Sequence, residues 1–344
     1  MLDTTYEVLA KKREALKAKA EGLLHLEDAD ELRKMWRSTE FQEQKVTIGA
    51  EDGSINYRCY KSFVLYAVNA LALVYDGNIR EFEGSDVDLL HPYRVEQRLA
   101  LYRSIFELKT SLQALDTSEL FLIDGSLSSD LGTPKDFDFE LNAKEKEEVL
   151  SLLPELEKHA GEIGVAIAAH GFAEQFKEKK HEKLAFLEYL EYLFCLERLF
   201  EKGMGKLVGV SKTSSKTSLM GELPDMAVFE KLVKESGYSE PLQEPLVSKL
   251  FRKFPAYDEF FNSLVFTSFY ARLEDGKGVL LIEIPREVGE GEVVQILEKI
   301  RSTSVEGYPY LLRKAHRKVV ISNKDIQGIF NSLGLLAKTG REVL

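Results

Sequence analysis

Cysteine, tryptophan and long apolar runs are scarce in this sequence. Its 344 residues include two cysteines, Cys59 and Cys195, and a single tryptophan. Two cysteines so far apart supply neither a disulfide framework nor a zinc site. We therefore expect both to be buried as small apolar residues, and redox chemistry is excluded.

A membrane-spanning segment and a signal peptide are missing as well. No run approaches the roughly 18 apolar residues that a span requires. The amino-terminal sequence MLDTTYEVLAKKREALKAKAEG is charged from its first turn and has no apolar stretch of the signal-peptide kind. These absences predict a cytoplasmic protein.

Positive charge is in the minority, with 46 Lys and Arg against 57 Asp and Glu and a formal net charge of −11. This balance argues against nucleic-acid binding by the whole surface, which needs basic residues against phosphate. Two basic strips nevertheless contain no acidic residue. They are residues 202–221, with Lys202, Lys206, Lys212 and Lys216, and residues 307–324, with Arg313, Lys314, Arg317, Lys318 and Lys324. The strips predict a local path for an anion, and chance clustering on a solvated face is the alternative.

The apolar and charged fractions, 44% and 30%, are typical of a globular protein of one large domain or two. Residues 4–36 predict a long helix whose apolar face needs a partner, either the core or a second copy of the chain. That face consists of Leu9, Leu16, Leu23 and Trp36.

Periodicity along the rest of the chain predicts a mixed α/β protein. Residues 45–77 favour two or three antiparallel strands, with Asp-Gly turns at 52–53 and 76–77. Residues 93–115 have helical periodicity, and the strand ELFLIDGS follows. The later elements are a helical insertion at about 141–203, a strand in KLVGVSKTS, a hairpin about Asp275-Gly276, and helices near 291–302 and 323–338.

The tripeptide Asp-Gly-Ser occurs twice, at 52–54 and 124–126, each time after an apolar run. A single copy is typical of a turn or a helix cap. As a pair at two strand ends, the copies would bring two carboxylates to one edge of the sheet, where they would hold a divalent cation. Glu107, beside the apolar stripe of the helix between them, needs a cation or an arginine.

Three carboxylates in one pocket suit magnesium or manganese rather than zinc. The candidate ligands are Asp52, Glu107 and Asp124. A salt bridge from Glu107 to Arg103 or Lys109, with both Asp-Gly-Ser turns solvated, is the alternative.

The sequence GVSKTSSKTS resembles a phosphate-binding P-loop but fails its requirements. Ser211 and Lys206 stand where that loop needs glycine, so an ATPase is not indicated. Lys212, at a strand end, still suits a phosphate or a hydroxide. His316, in the second basic strip, suits proton relay or a metal.

An ordered set of strings resembles the NurA nuclease family, which processes DNA ends with the hexameric ATPase HerA. The strings are AEDGS, FELKTSLQAL, FLIDGSLS, VGVSKTS, LPDMAVFE, SFYARLEDGKGVLLIEI and EGYPYLLRKAHRKVVIS. The resemblance implies an RNase H-like mixed sheet flanked by helices and a homodimer that encloses a channel. It also implies manganese-dependent cutting of DNA, with magnesium possible, as a single-strand endonuclease and 5'-to-3' exonuclease in DNA end resection.

The resemblance also implies roles for individual residues. Asp52, Glu107 and Asp124 are the metal ligands, and His316 completes or adjoins the site. From the basic strips we further expect His316 or Lys212 to meet the scissile phosphate, and an aromatic residue, Tyr270 or Tyr308, to stack on single-stranded bases. The expected DNA contacts are Lys206, Lys212, Lys216, Tyr270, Arg313, Lys314 and Arg317.

These expectations divide the chain into an assembly region, residues 1–38, and an RNase H-like nuclease core, residues 39–344. Two alternatives stay open. Another RNase H-like enzyme, such as an RNase or a resolvase, would share the carboxylates, and a non-enzymatic DNA-repair adaptor would use the amino-terminal helix to bind a partner.

Overall fold

The computed structural model describes residues 3–23, 33–131, 139–217, 223–248 and 253–334. The strands in these ranges are β1 (Trp36–Ser38), β2 (Ile48–Cys59), β3 (Val64–Tyr75), β4 (Ile79–Leu90), β5 (Leu120–Asp124), β6 (Leu207–Ser211), β7 (Gly237–Ser239), β8 (Leu242–Pro245), β9 (Val265–Arg272), β10 (Leu280–Ile284), β11 (Ser304–Val305) and β12 (Tyr308–Pro309).

The α-helices within the same ranges are α1 (Asp3–Leu23), α2 (Val95–Leu115), α3 (Leu127–Leu131), α4 (Ala143–Leu150), α5 (Leu153–Glu162), α6 (Lys180–Gly203), α7 (Asp225–Leu232), α8 (Asp258–Ser263), α9 (Glu290–Ser302), α10 (Tyr310–Val319) and α11 (Asn323–Ser332). None of these helices combines the length and the apolar character that crossing a membrane requires.

One mixed sheet organises the molecule, in the spatial order β1-β7-β9-β10-β6-β5-β2-β3-β4, with β8 beside β9. Strands β2, β3 and β4 form an antiparallel meander, and β5 is parallel to β2 and to β6. A meander, a helix and two further parallel strands make up the RNase H-like order that the sequence predicts. Strand β3 is apolar on both faces because helices cover both sides of the sheet, whereas the edge strand β4 is rich in carboxylates.

Helices lie on both faces of the sheet. Helix α2 packs directly against one face and α6 packs over α2, with Phe106 and Phe121 in the shared core. Helices α9 and α10 pack against the other face, over Ile48 and Leu122. Helix α6, within the segment expected as an insertion, leads directly into β6 and is almost wholly buried along its middle turns.

Two local expectations are wrong. Strand β2 continues through Asp52-Gly53 instead of turning there, because both residues stay paired with β3, at Leu71 and Ala70. Trp36 lies in β1, paired with β7, and not in a helix; the described part of the amino-terminal helix is Asp3–Leu23, and residues 24–32 lie outside the described residues.

Other local predictions are confirmed or only partly correct. The expected turns at 76–77 and 275–276 join β3 to β4 and β9 to β10. Cys195 is buried as expected, but Cys59 is exposed at the end of β2. This end of β2 extends beyond β5, and its residues are alternately partly buried and exposed, with Cys59 at an exposed position. The expected helix 323–338 begins at Asn323, and its positions beyond 334 lie outside the described residues.

Candidate metal centre

Asp52 and Asp124 lie side by side on neighbouring parallel strands. The register pairs Glu51 of β2 with Ile123 of β5, so the following residues of the two strands are also neighbours. Ile48 and Leu122 face the core under α9 and α10. Because side chains alternate along a strand, Asp52 and Asp124 project to that same face. Strand β5 ends at Asp124, whereas β2 continues beyond Asp52.

His316 completes the cluster from helix α10. The buried side chains Leu312, Ala315 and Val319 seat this helix on the sheet and leave His316 at its rim, 59% exposed. His316 Nδ1 lies 2.7 Å from Asp52 Oδ2. One ligand atom from each of Asp52, Asp124 and His316 lies within 4.8 Å of the other two. The carboxylates are therefore sheltered, and the imidazole meets solvent.

Without a bound cation, the negative charge of the two carboxylates is unfavourable. Burial raises the pKa of Asp52, and the nearby charge of Asp124 raises it further. The hydrogen bonds of Asp52 with His316 and with the Gly53 N–H, at 2.8 Å, act in the opposite direction. A divalent cation between the carboxylates would relieve this repulsion. Two carboxylates and one imidazole beside solvent fit manganese, which accepts oxygen and nitrogen ligands.

Tyr308 and Lys212 contact the outer side of Asp124. The Tyr308 hydroxyl donates to Asp124 Oδ1 at 3.3 Å, and Lys212 Nζ lies 3.2 Å from Asp124 Oδ2. Lys212 Nζ also sits 4.7 Å from the centre of the Tyr308 ring. Burial and the charge of Asp124 raise the pKa of Tyr308, which keeps its hydroxyl protonated as a donor. Sequence reasoning considered Tyr308 only as a stacking residue, although its place in the strip of His316 was a usable signal.

Glu107 approaches β2 from the opposite face of the sheet. A Cβ atom at Gly53 would lie 2.6 Å from Glu107 Oε1, so the missing side chain makes room for this carboxylate. The ion pair that sequence reasoning offered as the alternative is present, with Arg103 Nε 3.4 Å from Glu107 Oε1. Glu107 thus lies beside the residue that follows Asp52, outside the three-residue cluster. Its part in metal binding stays a prediction.

Three of the expected DNA contacts lie on α10. Arg313 and Arg317 share a face of the helix with His316, by their spacing of three and four residues. Lys314, on the same helix, is half-buried. This face continues the cluster with positive charge.

Lys206 lies away from the cluster. It precedes β6, about 20 Å along the strand direction from Lys212, and donates to the Leu115 carbonyl at 3.2 Å. It therefore belongs to the opposite edge of the sheet.

The prediction of Tyr270 as a base-stacking DNA contact is wrong, whereas Lys216 is engaged by a carboxylate. Tyr270 is 5% exposed in β9, where α7 covers it, and its hydroxyl donates to Asp225 at 3.3 Å. It has no free ring face for a base. The Lys216 ammonium lies 2.6 Å from the buried Glu283 carboxylate while its side chain stays 27% exposed, and its part in DNA binding stays a prediction.

The fold and the cluster together define an RNase H-like α/β protein with a candidate carboxylate–histidine metal centre. Residues 46–321 match the sequence profile of the NurA domain. The chain belongs to the NurA family.

Similar proteins cover almost the whole chain. It is 27% identical to the probable DNA double-strand break repair nuclease NurA of Methanocaldococcus jannaschii, over 98% of this chain and 91% of that protein. It is 26% identical to the DNA double-strand break repair nuclease NurA of Sulfurisphaera tokodaii, over 98% and 97%.

Solved structures share the fold. The NurA nuclease of Sulfolobus solfataricus superposes with a TM-score of 0.77 at 24% identity, over 97% of each chain. A NurA structure with bound dAMP and manganese superposes with a TM-score of 0.70 at 16% identity, over 95% of this chain and 96% of that one.

Proposed function

We propose that this protein is a divalent-metal-dependent nuclease that hydrolyses phosphodiester bonds in DNA. The cluster of Asp52, Asp124 and His316 at one edge of an RNase H-like sheet carries the proposal. The names of the family relatives, DNA double-strand break repair nucleases, support the same chemistry.

Manganese is the proposed metal, with magnesium as a substitute. When bound, it generates hydroxide from water and neutralises the charge that develops on the phosphate. Asp52 and Asp124 would hold the principal ion, with the solvent-exposed His316 as a further ligand. Glu107 holds the same ion or a second one from across β2. The raised pKa of Asp52, caused by burial and by Asp124, supports a site built for a cation.

The residues around Asp124 orient the substrate. Lys212 points its ammonium at the cluster and is 46% exposed, so it can exchange its contact with Asp124 for the scissile phosphate. Tyr308 keeps one oxygen of Asp124 hydrogen-bonded and leaves the other for a cation. The basic face of α10, with Arg313 and Arg317, leads a single strand to the site.

The resemblance to the NurA family implies the finer activity. We propose single-strand endonuclease and 5'-to-3' exonuclease activity in the resection of DNA ends for recombinational repair. We also propose that the protein acts in the cytoplasm. Two copies of the chain would place two basic α10 faces around one channel.

Assembly is the proposed task of the amino-terminal helix. Tyr6, Leu9 and Leu16 of α1 are 59%, 52% and 48% exposed. A solvated helix gains nothing from such residues, whereas a dimer or a HerA-like hexameric ATPase would cover them. A protein that lacks residues 1–32 retains β1. Light scattering should show it as a monomer instead of a dimer, or it should no longer bind the ATPase. A truncated protein that is still a dimer and still binds the ATPase would contradict this role.

A nuclease assay with purified protein tests the function. Labelled single-stranded DNA should be cut with manganese and not with a chelator, and Asp52→Asn should abolish cutting. Asp76→Asn, in the exposed β3–β4 turn, is the matched control and should cut normally. RNA, RNA–DNA hybrid and branched DNA substrates separate a DNA nuclease from an RNase or a resolvase. A folded protein that binds DNA without cutting any of them would indicate the adaptor.

A further inference from the structure

Glu283 is a buried carboxylate on the sheet face opposite the metal cluster. It lies in β10, is 1% exposed, and alternates with Ile282, which faces the core under α9 and α10. Its oxygens accept from Ser126 Oγ at 2.6 Å and from Ser128 Oγ at 2.7 Å. Lys216 Nζ donates to it at 2.6 Å, and the Ser128 N–H at 3.3 Å.

These donors come from the two segments that carry Asp124 and Lys212. Ser126 follows Asp124 through Gly125, whose φ of +127° suits glycine. Lys216 belongs to the segment that leaves β6 at Lys212. One buried carboxylate therefore ties both segments to β10.

Backbone hydrogen bonds also hold these segments. The Gly125 N–H donates to the Val210 carbonyl at 3.1 Å, and the Asp225 N–H donates to the Lys216 carbonyl at 2.8 Å. Both contacts are to backbone, and the contact of Lys212 Nζ with Asp124 Oδ2 at 3.2 Å joins the two segments directly. Loss of Glu283 would leave the Lys216 ammonium and two hydroxyls without their common acceptor, which is costly in the interior.

We propose that Glu283 is a positioning residue, which sets the Asp124 carboxylate and the Lys212 ammonium at the spacing that cation binding and cutting require. This proposal rests on the proposed nuclease function for its kinetic consequences. Its structural part, the anchoring of the 124–128 turn, is independent of any metal or DNA. Substitution of residues that hold the direct metal ligands in place commonly lowers metal affinity or activity 10- to 100-fold.

Glu283→Gln is the first test. Glutamine keeps the side-chain volume and can still accept a hydrogen bond from a serine, but its neutral amide cannot form an ion pair with the Lys216 ammonium. We expect manganese affinity to fall about 10-fold, measured by electron paramagnetic resonance of the free ion, and kcat to fall about 10- to 100-fold. The KM for single-stranded DNA should stay unchanged. Without metal or DNA, hydrogen exchange in residues 124–128 should become faster.

Glu191→Gln is the matched control. Glu191 is also fully buried and ion-paired, with Lys109 at 2.8 Å, but it lies on α6 away from the turn. At a temperature where circular dichroism shows each variant folded, it should retain the wild-type manganese affinity and turn exchange. The double variant Ser126→Ala with Ser128→Ala removes the serine hydroxyls alone and should reproduce the Glu283→Gln effects even if Glu283→Gln does not fold.

The outcomes separate this proposal from the proposed function. Wild-type manganese affinity, kcat and turn exchange in Glu283→Gln, or in the double serine variant if Glu283→Gln does not fold, overturn the positioning role. Equal losses in Glu191→Gln overturn it too. If the wild-type protein neither binds manganese nor cuts DNA, while the variants still loosen the turn, the nuclease function fails and the anchoring of the turn stands.

Discussion

His316 Nδ1 lies 2.7 Å from Asp52 Oδ2, although 264 positions separate the two residues in the chain. The contact joins α10 to β2 and brings the second basic strip against the first Asp-Gly-Ser motif. The candidate metal centre therefore exists only when α10 is seated on the sheet. Perturbing that docking should disrupt metal binding before it unfolds the core.

Asp52→Asn and Asp124→Asn should each lower cutting more than about 100-fold, since they remove ligands rather than groups behind them. Without metal, Asp52→Asn should be at least as stable as the wild type at neutral pH. The raised pKa of Asp52, caused first by burial, shows that its charge is held at a cost. Nuclease rates and thermal melting check both points, and a marked loss of stability would contradict the second.

Gly53→Ala should displace the Glu107 carboxylate, because the new Cβ would lie 2.6 Å from its Cγ and Oε1. We expect reduced nuclease activity with the fold retained. Gly161→Ala is the control, since its Cβ meets nothing within 4 Å in helix α5. It should leave activity unchanged and stabilise the protein by about 0.5–1 kcal/mol. Full activity in Gly53→Ala would remove Glu107 from the mechanism.

Tyr308→Phe should weaken manganese binding about 10-fold, because it removes the hydroxyl that orients Asp124. The substitution retains the aromatic ring beside Lys212. Tyr75→Phe, at an exposed position at the end of β3, is the matched control. Calorimetric titration with manganese measures the difference. Equal affinities in the two variants would count against the hydrogen bond.

The basic face of α10 can be tested by its salt dependence. Arg317→Glu should weaken single-stranded DNA binding and lower the logarithmic salt slope by about 0.7 or more, since each phosphate contact contributes that much. Lys158→Glu, an exposed lysine of α5, should change the slope little. Anisotropy titrations at several salt concentrations make the comparison, and equal slopes would place the DNA elsewhere.

Acid stability should depend on Glu188. Burial alone would raise its pKa, but the charge and hydrogen bonds of Arg98, with the hydrogen bond of His170, lower it to about 2. Because the folded pKa lies below the ordinary value of 4.5, the stabilisation is complete above pH 4.5 and is lost as the pH falls toward 2. It amounts to about 3 kcal/mol.

Glu188→Gln should flatten this acid dependence and cost about 3–5 kcal/mol at neutral pH, since it leaves Arg98 buried without its carboxylate. Glu201→Gln, an exposed residue at the end of the same helix, should cost less than about 1 kcal/mol. Urea unfolding between pH 3 and pH 7 measures both. A parallel acid dependence in wild type and Glu188→Gln would contradict the assignment.

Local patterns in the sequence determined much of the fold. Alternation and helical periodicity predicted the strand order through β5 and the helix between β4 and β5, because a buried face repeats along its own element. The turns at 76–77 and 275–276 were predictable, since Asp-Gly adopts tight turns with little help from the rest of the protein. The apolar runs before Asp52 and Asp124 likewise predicted a strand that leads to each carboxylate.

Tertiary structure decided what those patterns left open. Asp52-Gly53 is a turn sequence, yet pairing with β3 along the whole of β2 keeps it extended. In the sequence Tyr270 resembles a base-stacking residue, but α7 covers it in β9. Lys216 resembles a phosphate contact, but its ammonium donates to Glu283. Exposure depends on which distant element packs over a residue. The sequence by itself therefore determined which side chains have metal and phosphate chemistry, and only packing decided which of them face one another at the edge of the sheet.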